Sequence, residues 1–477
     1  MSVKNFSALP SFAALVLCAG VWGQSPLPLF QPAAAPTAAR PANPYALREG
    51  FVKVDWRAFS GAGSADQVSR ILNLNLFADA SFLAERTRLN WLGPNRFDWS
   101  GRIGQDNVVF SVRNGAMTGY VQSGWRSFEI EGSAAGTFKV TEVDTKALDD
   151  RERAAPDVEG EPVKFTDTPV SPGQPDPVID VMVLYLKEAS SKIPDIETYV
   201  SALFTLSNEA YVNSKIPQTI RLVHHQEVES GIVGRGNVAW LNSDPGVLEL
   251  KKKYGADLTS MIVETHDAAG TTSGQSNICT RTAAFGNKTF PHELGHSMGA
   301  QHAWEQFTTH SGFAYGYIDH VNSWRTLMSY AECNMGGRCT RVNYFSNPDV
   351  MYTGFPTGIA DSRDNARQMR SRSVQVSNNR PTVVPVNINE RVIVDPPAPF
   401  SIRGLGRGRL DLHVTGGERL SIAFYSLGGK KLDVANRDFP AGDHQLTWKP
   451  DALAPGVHIL QVRGRTAQKA LKLTVMR

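Results

Sequence analysis

His292-Glu293-Leu294-Gly295-His296-Ser297-Met298-Gly299-Ala300-Gln301-His302 places three histidines and a glutamate at spacings that decide how the rest of the chain is read. On a helix, residues four apart share one face, so His292 and His296 reach a common point with Glu293 beside it. Gly299 ends the helix and turns the backbone at little steric cost, because it has no Cβ. The turn brings His302 round as a third imidazole. Three neutral nitrogens and one open position form the catalytic rather than the structural arrangement for zinc. The pattern therefore predicts one Zn2+ on His292, His296 and His302, and a water acidified toward pKa ~7. Glu293 is the expected general base, which takes the proton and later passes it to a leaving amine.

Working outward, Val178 to Leu186 is a nearly continuous apolar run, suited to a buried strand. An amphipathic helix is expected from about Ile196 to Ser214, a strand around Thr219 to Val223, a helix near Pro245 to Tyr254 and a strand at Leu258 to Val263. Strands alternating with helices predict an α/β layer with a twisted, mostly parallel sheet. A helical stretch around Asp361 to Ser373 closes the unit.

The quoted segment resembles the extended zinc motif of the metzincin metallopeptidases. Thr326-Leu327-Met328-Ser329-Tyr330 is similar to the methionine turn of that clan. The resemblance implies that Met328 lies beneath the metal and that Tyr330, at a position shared with astacins and serralysins, helps an oxyanion. Asn343-Tyr344-Phe345-Ser346-Asn347-Pro348-Asp349-Val350, Gly354 to Gly358 and Asp364-Asn365-Ala366-Arg367 are similar to bacterial reprolysin-like metzincins, above all the peptidyl-Asp metalloendopeptidase group. The resemblance covers roughly residues 178 to 380. This chain departs from reprolysins proper in carrying Ala303 where they have Asp after the third histidine. It implies a secreted endopeptidase acting on protein or peptide substrates. The alternative is a catalytically inactive binding or adhesion protein on the same fold; retention of Glu293 argues against it.

The flanks divide as follows: 1–23 signal peptide, 24–177 β-rich prodomain and linker, 178–381 catalytic domain, 382–399 linker, 400–477 β-sandwich. The apolar run Leu15 to Val21 after Lys4 carries the signal-peptide reading. Residues 48 to 144 show short alternating segments, and 145 to 177 read as an exposed, Pro-punctuated linker. The N-terminal unit is either a prodomain that makes the chain a zymogen or a β domain that stays attached. With no cysteine between Ala19 and Ile278, a cysteine switch is excluded as the route to latency. Residues 422 to 430 (IAFYSLGGK), Leu453 to Val457 (LAPGV) and the ending KLTVMR resemble the sorting domain of type IX secretion substrates. That resemblance implies contact with secretion machinery and an extracellular or surface location in a Gram-negative bacterium. A plain immunoglobulin-like accessory domain is the other reading of that segment.

Of 477 residues, 41% are hydrophobic and 20% charged, with a formal net charge of +3 and no concentrated basic stripe, so nucleic acid is not an expected partner. Lys251-Lys252-Lys253 reads as a solvated helix face. No segment after the leader reaches the ~20 apolar residues of a membrane span. Cys333 and Cys339 enclose a short Gly-containing loop and are expected to pair, leaving the partner of Cys279 open. His310 and His320 are read as surface or cleft residues, and His266 as a packed one. Arg338 and Arg341, soon after Met328, either favour acidic substrate side chains or are solvated. No residue pattern specifies a calcium site.

Overall fold

Asn114-Gly115 is a two-residue hairpin loop written in sequence: both residues take positive φ (51° and 92°), which Asn and Gly tolerate and most residues do not. Similar tight turns fold much of the N-terminal segment into an antiparallel meander. In the computed structural model, the described residues are 27–36, 43–59, 63–134, 136–154, 176–229, 236–330, 333, 339–383, 391–394, 400–406, 409–426, 431–447, 453–454, 456–464 and 468–475. The expected signal peptide lies outside them.

The strands of the meander are β1 (Phe30–Pro32), β2 (Ala46–Val54), β3 (Ile71–Phe77), β4 (Ala80–Gly93), β5 (Arg96–Ile103), β6 (Asp106–Arg113), β7 (Ala116–Ser123), β8 (Arg126–Gly132) and β9 (Phe138–Val143). Their order is β1-β2-β9-β8-β7-β6-β5-β4, with β3 on β4. Period-2 alternation splits β6 between two cores. Val108, Phe110 and Val112 join Trp99, Phe128 and Ile130 on one face, whereas Val109 on β6 and Tyr120 on β7 face a helix of the next layer.

A helix follows, α1 (Thr145–Ala154), where an exposed linker was expected. Leu148, Asp149 and Glu152 are buried, which corrects that expectation for residues 145–154. Of the charges responsible for the expectation, Asp149 and Glu152 point into buried ion pairs, whereas Lys146 and Asp150 stay at the surface. Residues 155–175 lie outside the described set.

The second layer contains β10 (Val178–Tyr185), α2 (Lys187–Ser190), α3 (Ile196–Asn213), β11 (Thr219–Glu227), α4 (Gly236–Ser243), α5 (Pro245–Tyr254), β12 (Leu258–Val263), β13 (Gly270–Ser273), β14 (Ser276–Thr280), α6 (Arg281–Gly286), α7 (Thr289–Ser297), β15 (Gln301–Ala303) and α8 (Asn365–Val376). Its sheet runs β11-β10-β12-β14-β13, parallel except for the antiparallel edge strand β13. Helix starts follow their caps: Asp195, Asp244 and Asp364 each accept a backbone N–H three residues on. Lys251 is buried, with its ammonium donating to Ser276 Oγ at 3.0 Å, so the lysine run is not a uniformly solvated face. Val109 and Tyr120 share a core with Val181, Leu203, Phe290, Leu294 and Met328, so the meander and the α/β layer pack as one body, residues 1–393.

Residues 394–477 form a separate unit. Strands Phe400–Gly406, Arg409–Val414 and Gly442–Thr447 make one antiparallel sheet. Glu418–Ser426, Lys431–Phe439, Gly456–Arg463 and Gln468–Val475 make the other. Leu410, Leu412 and Val414 of the first share a core with Leu420, Phe424 and Leu460 of the second. No helix among the described residues is long and apolar enough to cross a membrane.

Candidate active site

α7 carries His292, Glu293 and His296, and just beyond its end the chain turns at Gly299, whose φ of 83° only glycine adopts freely. The chain then enters β15, which carries His302. The Nε2 atom of His296 lies 3.1 Å from that of His292 and 2.9 Å from that of His302. Each ring is pinned through its other nitrogen: His292 Nδ1 on the Leu327 carbonyl at 2.8 Å, His296 Nδ1 on the Ala300 carbonyl at 2.9 Å, and His302 Nδ1 on the Tyr330 hydroxyl at 3.2 Å.

These contacts decide the tautomers. A carbonyl only accepts, so Nδ1 of His292 and of His296 carries the proton, and in the neutral rings both Nε2 atoms present lone pairs. Two lone pairs 3.1 Å apart repel unless a cation lies between them. The three rings therefore fit a metal ion by their donor chemistry as well as by their convergence.

Glu293 is buried beside this point. Thr272 on the edge strand β13 donates to Glu293 Oε2 at 2.6 Å, with the Glu293 carbonyl at 3.1 Å. Gly270, which opens the same strand, passes so close that a Cβ there would lie 2.2 Å from Glu293 Oε1. Sequence reasoning missed both residues; the stretch between β12 and α7 carries no periodicity that points to them.

The turn 326–330 supports the site from below. A Cβ on Gly295 would meet Met328 Sδ at 2.6 Å, so the glycine lets the methionine lie directly against α7. Leu327 contributes the carbonyl that orients His292, and Tyr330 orients His302. Cys333 and Cys339 are disulfide-linked, and Cys279 is buried as a free thiol, which burial pushes well above its ordinary range. His310 stacks on Trp304, and His266 bonds the backbone of Ala268; neither joins the cluster.

Comparison with known proteins gives this geometry a context. Residues 234–362 match the family described as metallo-peptidase family M12B, reprolysin-like. A peptidyl-Asp metalloendopeptidase of Xanthomonas campestris pv. campestris is 24% identical over 427 residues, covering 79% of this chain and 99% of that protein. One from Pseudomonas aeruginosa is 26% identical over 301 residues, 54% of this chain and 50% of its own length. Among solved structures, metalloproteinase-II from Bacteroides fragilis is similar at a TM-score of 0.34 and 12% identity, covering 57% of this chain and 86% of that one. The chain is a metalloendopeptidase.

Behind the 326–330 turn, the metalloendopeptidase carries a buried basic wall. Arg325 Nε donates to the Ser329 carbonyl at 2.7 Å, and Arg341 donates to the same oxygen through Nε at 3.2 Å and Nη2 at 2.9 Å. Arg341 Nη1 also reaches the Asn287 carbonyl at 2.8 Å, two residues before α7. Lys288, at the start of α7, donates to the Arg341 carbonyl at 2.8 Å, and burial, reinforced by Arg341, pushes its ammonium down to about 7. The carboxylates meeting these arginines belong to α1: Asp149 on Arg325, and Glu152 on Arg341. Arg341 is thus buried, not a solvated loop residue.

Proposed function

We propose that the protein is an exported zinc endopeptidase in which His292, His296 and His302 hold the ion and Glu293 is the general base. The convergence of three Nε2 atoms, with Nδ1 pinned on every ring, carries this reading. A bound zinc ion acidifies water and polarises the scissile carbonyl. Glu293, fixed by Thr272, receives the proton of the attacking water and delivers it to the leaving amine. Tyr330 holds the His302 ring in its ligating orientation. The 24–177 segment is the prodomain and the 400–477 unit a sorting or accessory domain. The names of the relatives and the basic wall together support cleavage beside acidic residues.

Casein hydrolysis by the wild type and by Glu293→Gln, each with and without 1,10-phenanthroline, tests the reading. The expected result is hydrolysis by the wild type alone, lost on chelation and restored by zinc. Equal cleavage by both proteins, or full activity after chelation, refutes it.

A further inference from the structure

Arg341 is bound by a carboxylate in a fork-to-fork geometry, Glu152 Oε1 on Nη1 at 3.0 Å and Oε2 on Nη2 at 2.7 Å. Asn287 Nδ2 adds a third donor to Oε2 at 3.0 Å. Arg341, Asn287 and Glu152 are each 5% exposed or less. A buried ion pair offers little net stability over apolar packing of the same volume, so stability alone is a weak reason for it.

The position is more telling. The Arg341 guanidinium bridges the entry to α7, which carries His292 and Glu293, and the Ser329 carbonyl next to Tyr330. α1 also touches the other wall of the site. Arg151 donates to the carbonyls of His266 at 3.0 Å and Ala268 at 3.4 Å, immediately before Gly270 and β13. Leu148 packs with Ala269 and Ala283. One helix from the N-terminal segment therefore reaches both the loop that leads into the edge strand beside Glu293 and, through Glu152 and Arg341, the turn beneath the histidines. The cations of this wall, Lys288, Arg325 and Arg341, come from the α/β layer; Asp149 and Glu152 come from α1. Lys288 sits in the left-handed region at φ 56°, a conformation that strains a non-glycine residue.

We propose that Arg341 is the group that binds an acidic substrate side chain, and that Glu152 is an internal ligand occupying its place, so that α1 holds the site closed. This deepens the proposed endopeptidase reading and rests on it for the term substrate, but its test reads binding rather than turnover. The experiment uses the full chain in a Glu293→Gln background and two fluorescent hexapeptides differing only in Asp or Asn. Replacing Glu152 with Gln as well should tighten Asp-peptide binding by about 10- to 100-fold, the range of a charge-assisted hydrogen bond, with the Asn peptide unchanged. Adding Arg341→Gln should abolish the difference between peptides. Equal gain for both peptides, or no gain, overturns the proposal.

A second measurement needs no change in the pocket. Hydrogen exchange of residues 145–154 in Glu293→Gln should accelerate when the Asp peptide is added to millimolar concentration, and not with the Asn peptide. Unchanged exchange with both overturns the proposal even if Glu152→Gln fails to fold. Failure of the endopeptidase reading would appear separately, as binding without casein hydrolysis by any form that retains Glu293, the opened Glu152→Gln chain included.

Discussion

Replacing Gly270 with Ala tests whether the position of Glu293 limits the reaction. The backbone at Gly270 is not in the left-handed region, so alanine adopts it without strain, and the effect comes from the added methyl alone. That methyl would lie 2.2 Å from Glu293 Oε1, 2.7 Å from its Cδ and 2.6 Å from Thr289 Cγ2, whereas real Cβ atoms essentially never approach within 3.0 Å. The carboxylate must retreat by about 1 Å, stretching the 2.6 Å bond from Thr272. A displacement of that size in a reacting group costs about 10²-fold in rate, or about 2.7 kcal/mol of barrier. The atoms nearest the methyl belong to Glu293 and Thr289 rather than to an imidazole, so metal content should be unchanged. The assay is kcat/KM on an internally quenched peptide, with metal analysis on the same samples. Gly416→Ala, where an added Cβ meets nothing within 4 Å, is the control. Activity of Gly270→Ala within about threefold of wild type at equal metal content would refute the claim that this carboxylate must stand where it does.

Thr272→Val removes the donor to Glu293 Oε2 while keeping the shape of the side chain. It should lower kcat by about 10-fold with little change in KM, the cost of one charge-assisted hydrogen bond, measured on the same peptide. Glu129 gives a pH prediction. It is half-buried on β8 with its Oε1 shielded against α6, and desolvation raises its carboxyl from the ordinary 4.5 to about 8, with neighbouring Glu131 adding to the shift. Between those values the folded protein binds more protons than the unfolded chain, so this contribution to stability is complete below 4.5 and is lost as pH rises through 8. Against Glu129→Gln, the wild type should therefore lose unfolding free energy between pH 5 and pH 9, by at most about 5 kcal/mol. Parallel urea midpoints for the two proteins across that range would contradict the assignment of a neutral carboxyl.

What the sequence made legible and what it hid divide along chain separation. His292 and His296 share a helix face because four residues make about one turn, and Gly299 and His302 follow within six residues, so a local rule reaches all of them. The strands Val178–Tyr185 and Leu258–Val263 were legible for the same reason, since a parallel strand buried on both faces is an apolar run. Thr272, by contrast, meets Glu293 across 21 residues, and Glu152 meets Arg341 across 189. No periodicity spans such distances. Helix α1 shows the consequence. Its composition, Lys, Asp, Asp, Arg, Glu and Arg within ten residues, is that of a solvated segment, and patterning assigns it to solvent. The chain buries it because complementary charges lie on the other layer: an acidic residue fits there only where an arginine was already waiting. The buried charges of this segment depend on partners far along the chain and are held only while those partners are unclaimed. In the proposal above, a substrate carboxylate competing for Arg341 therefore acts on a helix that Glu152 and Asp149 tie to the other layer.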